Sequence, residues 1–328
     1  MELIRQEPQR WTVINLIDFR EAQQNIIRHL IKTPILSAPT LSQRIGVRLF
    51  FKAEIFQKTG SFKPRGSLNK LAHLTEQEKA KGVITVSSGN HAQGLAYAAS
   101  IFGIQATVVM RQDASKSKIA LTKSYGAEVI LTEENPFHTC QALQKERNLT
   151  LVHPFDDPHV IAGQGTLGSE ILDEHPDVDA IFVSIGGGGL ISGVATAIKL
   201  RNPSVKIIGV EPVGASAMWQ SLREQRVVHL DKIDTIAAGL APPFVGELNL
   251  ALVRKYVDEV VLVSDDELVE ALWLILEQSK LLTEPSGVAG FAGLLFEKAK
   301  IPKDSEVVCV LSGGNMDRYD LKQLLDRS

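Results

Sequence analysis

The chain is organised around one short stretch, Lys58-Thr59-Gly60-Ser61-Phe62-Lys63-Pro64-Arg65-Gly66-Ser67. An apolar run with one acid, Leu49 to Ile55, precedes it and predicts a short strand, and Ser67 to Leu71 predicts the beginning of a helix. Lys63 is therefore expected near a helix start, beside Phe62 and Pro64. A helix N-terminus and an aromatic neighbour would both disfavour an ammonium group, so we expect a lowered pKa for the Lys63 amine.

A deprotonated lysine is what a Schiff base with an aldehyde cofactor requires. On this stretch alone, a solvated lysine without a catalytic role is the simpler interpretation. Two further stretches favour a catalytic role for Lys63. Ser87-Ser88-Gly89-Asn90-His91-Ala92-Gln93-Gly94 follows the predicted strand Val83 to Val86, and Gly186-Gly187-Gly188-Gly189-Leu190 follows the predicted strand Ile181 to Ile185. Each is a turn between a strand and a helix.

These stretches, together with Ser312-Gly313-Gly314-Asn315, resemble the fold-type II pyridoxal-phosphate enzymes in their threonine dehydratase and serine racemase branch. The matching residues occur in the family's order and spread over nearly the whole chain. The resemblance implies pyridoxal 5'-phosphate as the cofactor, bound to Lys63 and contacted by Phe62. It also implies an α/β fold of the tryptophan synthase β type, with two lobes that each hold a mostly parallel sheet flanked by helices.

The order of predicted elements agrees with that fold class. From Val83 to Val152, strand and helix alternate regularly, as expected for a parallel sheet with crossover helices. The alternation resumes in longer units after residue 155 and ends with the predicted strand Glu306 to Leu311, which contains Cys309. Thr75-x-x-Glu78 has the capping-box pattern of a helix start. The block from Val83 to Val152 is compact enough to form a lobe of its own. The resemblance implies the same, with a small substrate-gripping lobe, 74–154, inserted into a large cofactor-binding lobe, 1–73 and 155–328, and we expect no C-terminal regulatory domain.

The sequence also predicts the secondary structure of four other segments. Asp18 to Lys32 is predicted as a helix that stops before Pro34. His159 to Glu174 is predicted as a helix interrupted by its glycines, and Gln225 to Gly246 as a loop. Asp265 to Leu282 is predicted as a helix that begins at the capping box Ser264-x-x-Glu267.

Composition excludes several classes of protein. The 328 residues are 44% hydrophobic and 22% charged with a net charge of −3, which is ordinary for a globular protein and offers no basic block for nucleic acid. No run approaches the roughly 20 apolar residues of a membrane span, and Met1 to Arg10 is not of signal-peptide type. Two cysteines, Cys140 and Cys309, are too few for a disulfide framework, which fits a cytoplasmic protein.

The glycine run Gly186 to Gly189 predicts a phosphate cup, since its amide N–H groups and the following helix dipole would point at one anion. The alternative is a dinucleotide-binding loop. That motif would need a third glycine where Ile191 stands, and its ribose-binding acid would be Glu211. The resemblance places the cofactor phosphate on this run and on Leu190.

The turn from Ser87 to Gly94 offers hydroxyl, amide and helix-start groups suited to a carboxylate. The resemblance implies that Asn90 binds the cofactor's ring hydroxyl, and that the substrate is bound by Ser87, Ser88, Gly89, Asn90 and His91. It places Ser312 at the pyridine nitrogen. A neutral hydroxyl there leaves the ring a modest electron sink, which suits elimination better than transamination.

We predict no metal site. Relatives that bind a divalent cation use an acid at the Glu211 position and a second acid soon after it, and Gly214-Ala215-Ser216-Ala217-Met218 supplies none. His153, His159, His175 and His229 lack ligand spacing and are interpreted as ordinary surface or loop histidines.

The resemblance implies a lyase that converts L-threonine or L-serine to a 2-oxo acid and ammonia, in threonine catabolism or isoleucine biosynthesis, and that assembles as a homodimer or homotetramer. Serine racemase or 3-hydroxyaspartate dehydratase activity stays open, because Ser88 stands where many dehydratases carry alanine. Racemase-type relatives tend to carry an arginine in the region from Pro136 to Gln141, which is absent here. β-Replacement fits the motifs less well. A cofactor-binding protein without turnover and a nicotinamide oxidoreductase are the alternatives from other classes.

Overall fold

The computed structural model describes residues 14–326, so the expectation for Met1 to Arg10 lies outside the described residues. Their strands, in chain order, are β1 (Ile35–Ser37), β2 (Arg48–Ala53), β3 (Val83–Val86), β4 (Ala106–Arg111), β5 (Glu128–Thr132), β6 (Thr150–Leu151), β7 (Ala180–Ser184), β8 (Lys206–Pro212), β9 (Glu259–Val263) and β10 (Glu306–Leu311).

The α-helices that connect and cover these strands are α1 (Leu16–Ile26), α2 (Pro39–Ile45), α3 (Lys63–Ala72), α4 (Glu76–Lys81), α5 (Asn90–Phe102), α6 (Lys116–Ser124), α7 (Pro136–Arg147), α8 (Pro158–Glu174), α9 (Gly189–Lys199), α10 (Ala217–Glu224), α11 (Glu247–Tyr256), α12 (Asp265–Leu274), α13 (Pro285–Leu295) and α14 (Arg318–Leu325).

The larger sheet has six strands in the order β1-β2-β10-β7-β8-β9. Only β1 pairs antiparallel among these described strands. All residues of β7 and β10 are buried, as expected for a parallel sheet covered on both faces. Phe182 faces the core beneath α12 and α13, whereas Ile181 and Val183 face the core beneath α9.

The smaller sheet has four parallel strands in the order β5-β4-β3-β6, all drawn from residues 83–151. Helix α3 packs against both α5 and α8 and thus lies between the two sheets. The α/β class with mostly parallel sheets is confirmed. The division into lobes at residues 73/74 and 154/155 stays a prediction.

Two helices differ from the sequence-based expectation because of local backbone chemistry. Helix α3 begins at Lys63 itself rather than near Ser67, since Pro64 is suited to a first helical turn. Helix α8 runs without interruption, and its glycines allow close packing instead. A Cβ on Gly163 would lie 2.4 Å from the carbonyl oxygen of Arg65, and one on Gly165 would lie 2.8 Å from that of Gly193.

Other boundaries also shift. Helix α1 ends at Ile26 rather than Lys32. Helix α12 passes into a π-helical turn, Ile275–Ser279, and ends at Lys280 in the left-handed region rather than at Leu282. The capping boxes at Thr75 and Ser264 form as predicted, and the segment 225–246 is a loop apart from one short 3-10 turn, Ala238–Leu240.

Cys140 and Cys309 are both free and buried, and Cys309 lies in β10 as predicted. Within residues 14–326, no helix combines the length and the apolar character that crossing a lipid bilayer requires.

Candidate active site

One cavity of about 960 Å³ lies at the carboxyl ends of β3, β7 and β10. Parallel α/β sheets bind their ligands at this edge. The cavity wall contains every residue that the sequence predicted for the site, namely Phe62, Lys63, Ser87, Ser88, Gly89, Asn90, His91, Gly186, Gly187, Gly188, Gly189, Leu190 and Ser312. The structure therefore brings together four stretches that are more than 200 residues apart at their extremes.

Lys63 is the first residue of α3, and its amine reaches into this cavity. Its Nζ donates a hydrogen bond of 3.0 Å to the carbonyl oxygen of Pro154. Burial lowers the pKa of the Lys63 amine to about 8. The aromatic neighbour does not contribute as expected, because Nζ lies 5.1 Å from the centre of the Phe62 ring, where a ring face favours a cation. Desolvation alone thus prepares this amine to lose its proton.

The glycine run forms the turn between β7 and α9. Its geometry admits no side chain: a Cβ on Gly187 would lie 2.3 Å from the Phe155 ring, and Gly188 has a φ of +99°. Among the described residues, no acceptor takes a hydrogen bond from the amide N–H of Gly186, Gly187, Gly188 or Gly189. These donors border the cavity at the start of an 11-residue helix, so they can hold a phosphate-sized anion.

The turn from Ser87 to His91 begins α5, with Gly89 at the N-cap and no side-chain cap. The amide N–H of Gly89 donates to Ser87 Oγ at 3.2 Å. His91 Nε2 lies 3.1 Å from Thr85 Oγ1 and 3.3 Å from the carbonyl oxygen of Val152. Burial lowers the pKa of His91 well below its usual range, so the ring is neutral and anchors the turn to the smaller sheet.

Ser312 follows β10 and is buried at the cavity wall. Its Oγ accepts a hydrogen bond of 3.2 Å from Ser184 Oγ, which leaves the Ser312 hydroxyl proton to donate into the cavity.

Glu284 is a cavity residue that the sequence analysis did not assign. Its Oε1 accepts a hydrogen bond of 2.5 Å from Asn90 Nδ2, and Asn90 Oδ1 accepts one of 2.8 Å from Asn315 Nδ2. Burial raises the pKa of the Glu284 carboxyl to about 7, against the lowering effects of Asn90 and Lys118. The available signal was an acid directly before Pro285 in an otherwise apolar region.

Arg65 anchors the first turn of α3 from below. All five N–H donors of its guanidinium are used. Nε and Nη2 donate to Glu54, Nη1 and Nη2 donate to Glu170, and the second hydrogen of Nη1 is donated to Thr166. Lys52 adds an ion pair with Glu170 at 2.7 Å, so the buried cluster holds two cations and two acids. The sequence gives no linear signal for this cluster, since Thr166 and Glu170 are more than 100 residues from Arg65.

Two other side chains, His153 and Glu211, accept hydrogen bonds from backbone N–H groups. His153 lies in the loop between β6 and α8, as predicted, and is half-buried: its Nδ1 accepts the amide N–H of Asp156 at 2.8 Å, and burial lowers the pKa of its ring to about 4. Glu211 is fully buried and accepts the amide N–H groups of Met218 and Trp219 at 2.8 and 2.7 Å. Its carboxylate therefore caps the start of α10.

Comparisons with known proteins agree with this geometry. The family model described as "Pyridoxal-phosphate dependent enzyme" matches residues 26–313. The L-threonine ammonia-lyase of Thermotoga maritima is 44% identical over 96% of this chain and 79% of its own length. The L-threo-3-hydroxyaspartate ammonia-lyase of Saccharomyces cerevisiae is 41% identical over 92% of this chain and 93% of its own length. The structure of maize serine racemase superposes with a TM-score of 0.91 and 38% identity, covering 96% of this chain and 98% of that one.

Proposed function

Because the chain belongs to the family of pyridoxal-phosphate-dependent enzymes, we propose that it is an ammonia-lyase acting on 3-hydroxy amino acids. The reaction is the β-elimination that converts L-threonine to 2-oxobutanoate, or L-serine to pyruvate, with release of ammonia. The observation that carries this proposal is a single cavity where the Lys63 amine, with its lowered pKa, meets an anion-binding glycine turn and a carboxylate-binding helix start.

The cavity residues fit the cofactor. The amide N–H groups of Gly186 to Gly189 and Leu190 would hold its phosphate, Asn90 would donate to its ring hydroxyl, and Phe62 lies beside Lys63. Ser312, whose hydroxyl proton is not used by Ser184, would donate a neutral hydrogen bond to its ring nitrogen. When bound, pyridoxal phosphate supplies a ring that withdraws electrons from the substrate's Cα.

Lys63 has two roles in this scheme. Its amine would hold the cofactor covalently, and, when free, it would be the base that removes the substrate's Cα proton. A pKa of about 8 allows an appreciable neutral fraction near pH 7. The turn from Ser87 to His91 holds the substrate carboxylate through hydroxyl and amide groups, which orients the Cα proton towards Lys63.

Racemisation of serine is a second candidate, favoured by the presence of Ser88 in the same cavity wall as Lys63. Inversion needs a proton donor on the face of the substrate opposite Lys63. Ser88 is the hydroxyl that the motifs supply for that role, and binding of the substrate carboxylate is its simpler role.

The proposal extends to the setting of the protein. We assign the reaction to amino-acid metabolism, in threonine catabolism or isoleucine biosynthesis. Two buried free cysteines support a cytoplasmic location. We also propose that the protein assembles as a homodimer or homotetramer, as the resemblance to the family implies.

The test is turnover by the purified, cofactor-loaded protein. Incubation with L-threonine should yield equal amounts of 2-oxobutanoate and ammonia, and L-serine should yield pyruvate. The variant Lys63→Ala should lose this turnover. Lys58→Ala is the matched control and should keep it, because Lys58 is an exposed lysine of the same stretch and lies outside the described cavity wall. A protein that binds the cofactor but produces no 2-oxo acid from either substrate would contradict the proposal.

A further inference from the structure

The cavity wall contains more acidic than basic side chains. Besides Lys63, the described wall contains the cations Arg111 and Lys118 and the acids Glu133, Glu134, Glu284 and Asp320. The cofactor phosphate would add further negative charge. The described wall therefore has four acidic and three basic side chains before any substrate enters.

Both cations already have acidic partners. Lys118 Nζ lies 3.3 Å from Asp320 Oδ2. Arg111 forms a two-point pair with Asp113, with Nε–Oδ1 and Nη2–Oδ2 distances of 2.9 and 2.8 Å. His91, the histidine of the described wall, adds no charge, because burial holds the pKa of its ring well below its usual range. Within the described wall, Arg111 and Lys118 are thus each already paired with an acid, and Lys63 is the remaining basic side chain.

The Lys118–Asp320 pair is held in place from both sides. Asp320 is the third residue of α14, in a capping box with Asp317. Ser115 and Ser117, at the start of α6, both donate to Asp317 Oδ2, at 2.6 and 3.1 Å. The helix that carries Lys118 is thus fastened to the helix that carries its acidic partner.

We propose that the Lys118–Asp320 pair determines substrate specificity, so that the cavity accepts 3-hydroxy amino acids with an uncharged side chain and rejects those with a side-chain carboxylate. This inference rests on the proposed function and narrows it. A dicarboxylic substrate would place a carboxylate among several acids without a counter-charge, and like charges brought together in a binding site are a strong source of discrimination. The relatives named above include both kinds of substrate, so overall identity does not make this distinction.

Steady-state kinetics test the inference. The parent protein should show a kcat/KM for L-threonine at least about tenfold above that for L-threo-3-hydroxyaspartate. Asp320→Asn removes one acid and frees Lys118 while keeping the side-chain volume. It should raise the ratio of hydroxyaspartate to threonine kcat/KM about tenfold. Asp234→Asn is the matched control: it frees Lys232 from a pair exposed by about 80% that lies outside the described cavity wall, and it should leave the ratio unchanged.

A binding measurement separates this inference from the proposed function. L-aspartate and L-2-aminobutanoate lack the leaving hydroxyl and differ in side-chain charge, and their dissociation constants can be measured from the absorbance of the bound cofactor. L-2-aminobutanoate should bind more tightly, even if no 3-hydroxy amino acid is turned over and the lyase proposal fails. Tighter binding of L-aspartate, a parent preference for hydroxyaspartate, or an unchanged ratio in Asp320→Asn would each overturn the inference.

Discussion

Glu284 Oε1 accepts a hydrogen bond of 2.5 Å from Nδ2 of Asn90, and this bond joins the segment before α13 to the first residue of α5. Asn315 Nδ2 donates a hydrogen bond to Oδ1 of the same Asn90 amide. The two bonds determine which way the Asn90 amide points, because a flipped amide would face donor with donor and acceptor with acceptor. One Nδ2 hydrogen remains for a ligand in the cavity.

We therefore expect Glu284→Ala to weaken binding of pyridoxal phosphate about tenfold, the effect of losing one hydrogen bond to a charged group. Glu284→Gln keeps an acceptor at this position and should cost threefold or less, on the order of a neutral bond. Fluorescence titration of the cofactor-free proteins gives both dissociation constants. If Glu284→Ala and Asn90→Ala have additive effects in the double variant, Glu284 does not act through Asn90.

The lowered pKa of Lys63 predicts how the cofactor-free protein reacts with pyridoxal phosphate. Only the neutral amine attacks an aldehyde, so the reaction rate should rise with pH and level off above a midpoint of about 8. An unperturbed lysine would instead give a midpoint near 10.4. Stopped-flow absorbance measures this profile. A rate that still rises tenfold between pH 9 and about 10 would show that burial does not lower the pKa of this amine.

Much of the fold could be predicted from the sequence because local signals and tertiary packing agree there. The capping boxes at Thr75 and Ser264 and the apolar strand β10 formed as expected. The glycines of α8 misled the prediction, since their close approach to Arg65 and Gly193 depends on neighbours distant in the chain. Helix α11, strand β9 and helix α14 were not predicted at all.

The site, too, has residues that local sequence signals predict and residues whose role depends on distant parts of the chain. The stretches around Lys63, Asn90, Gly186 and Ser312 meet in one cavity because they follow the carboxyl ends of β2, β3, β7 and β10 in the two sheets. Glu284 could not be assigned from the sequence, since its role depends on Asn90, which is 194 residues away. The anchoring of His91 by Val152 was hidden for the same reason.

Ser312→Asp should change the products. A carboxylate at this position would hold the ring nitrogen protonated, which favours longer-lived negative charge at the substrate Cα over rapid expulsion of the hydroxyl. We expect less 2-oxo acid for each substrate consumed and more racemised or transaminated product, quantified by chromatography. Ser312→Ala, which adds no charge, is the control. An unchanged product ratio in Ser312→Asp would mean that Ser312 does not contact the ring.

Ser88→Ala distinguishes the two candidate reactions. Lys63 can return a proton only to the face from which it removed one, so inversion depends on a second donor. We expect the variant to keep most of its elimination activity towards L-threonine and L-serine, and to lose any conversion of L-serine to D-serine that the parent shows. Chiral chromatography beside a 2-oxo acid assay measures both. Continued racemisation together with lost elimination would refute this role of Ser88.

The most direct test of the whole account identifies the lysine that carries the cofactor. The protein loaded with pyridoxal phosphate is reduced with borohydride, which makes the bond between cofactor and lysine permanent, and its peptides are analysed by mass spectrometry. The account predicts the phosphopyridoxyl mass on Lys63, and no visible cofactor band and no turnover in a folded Lys63→Ala variant. A label on another lysine, or a Lys63→Ala variant that still forms a reducible adduct and turns over L-threonine, would contradict it.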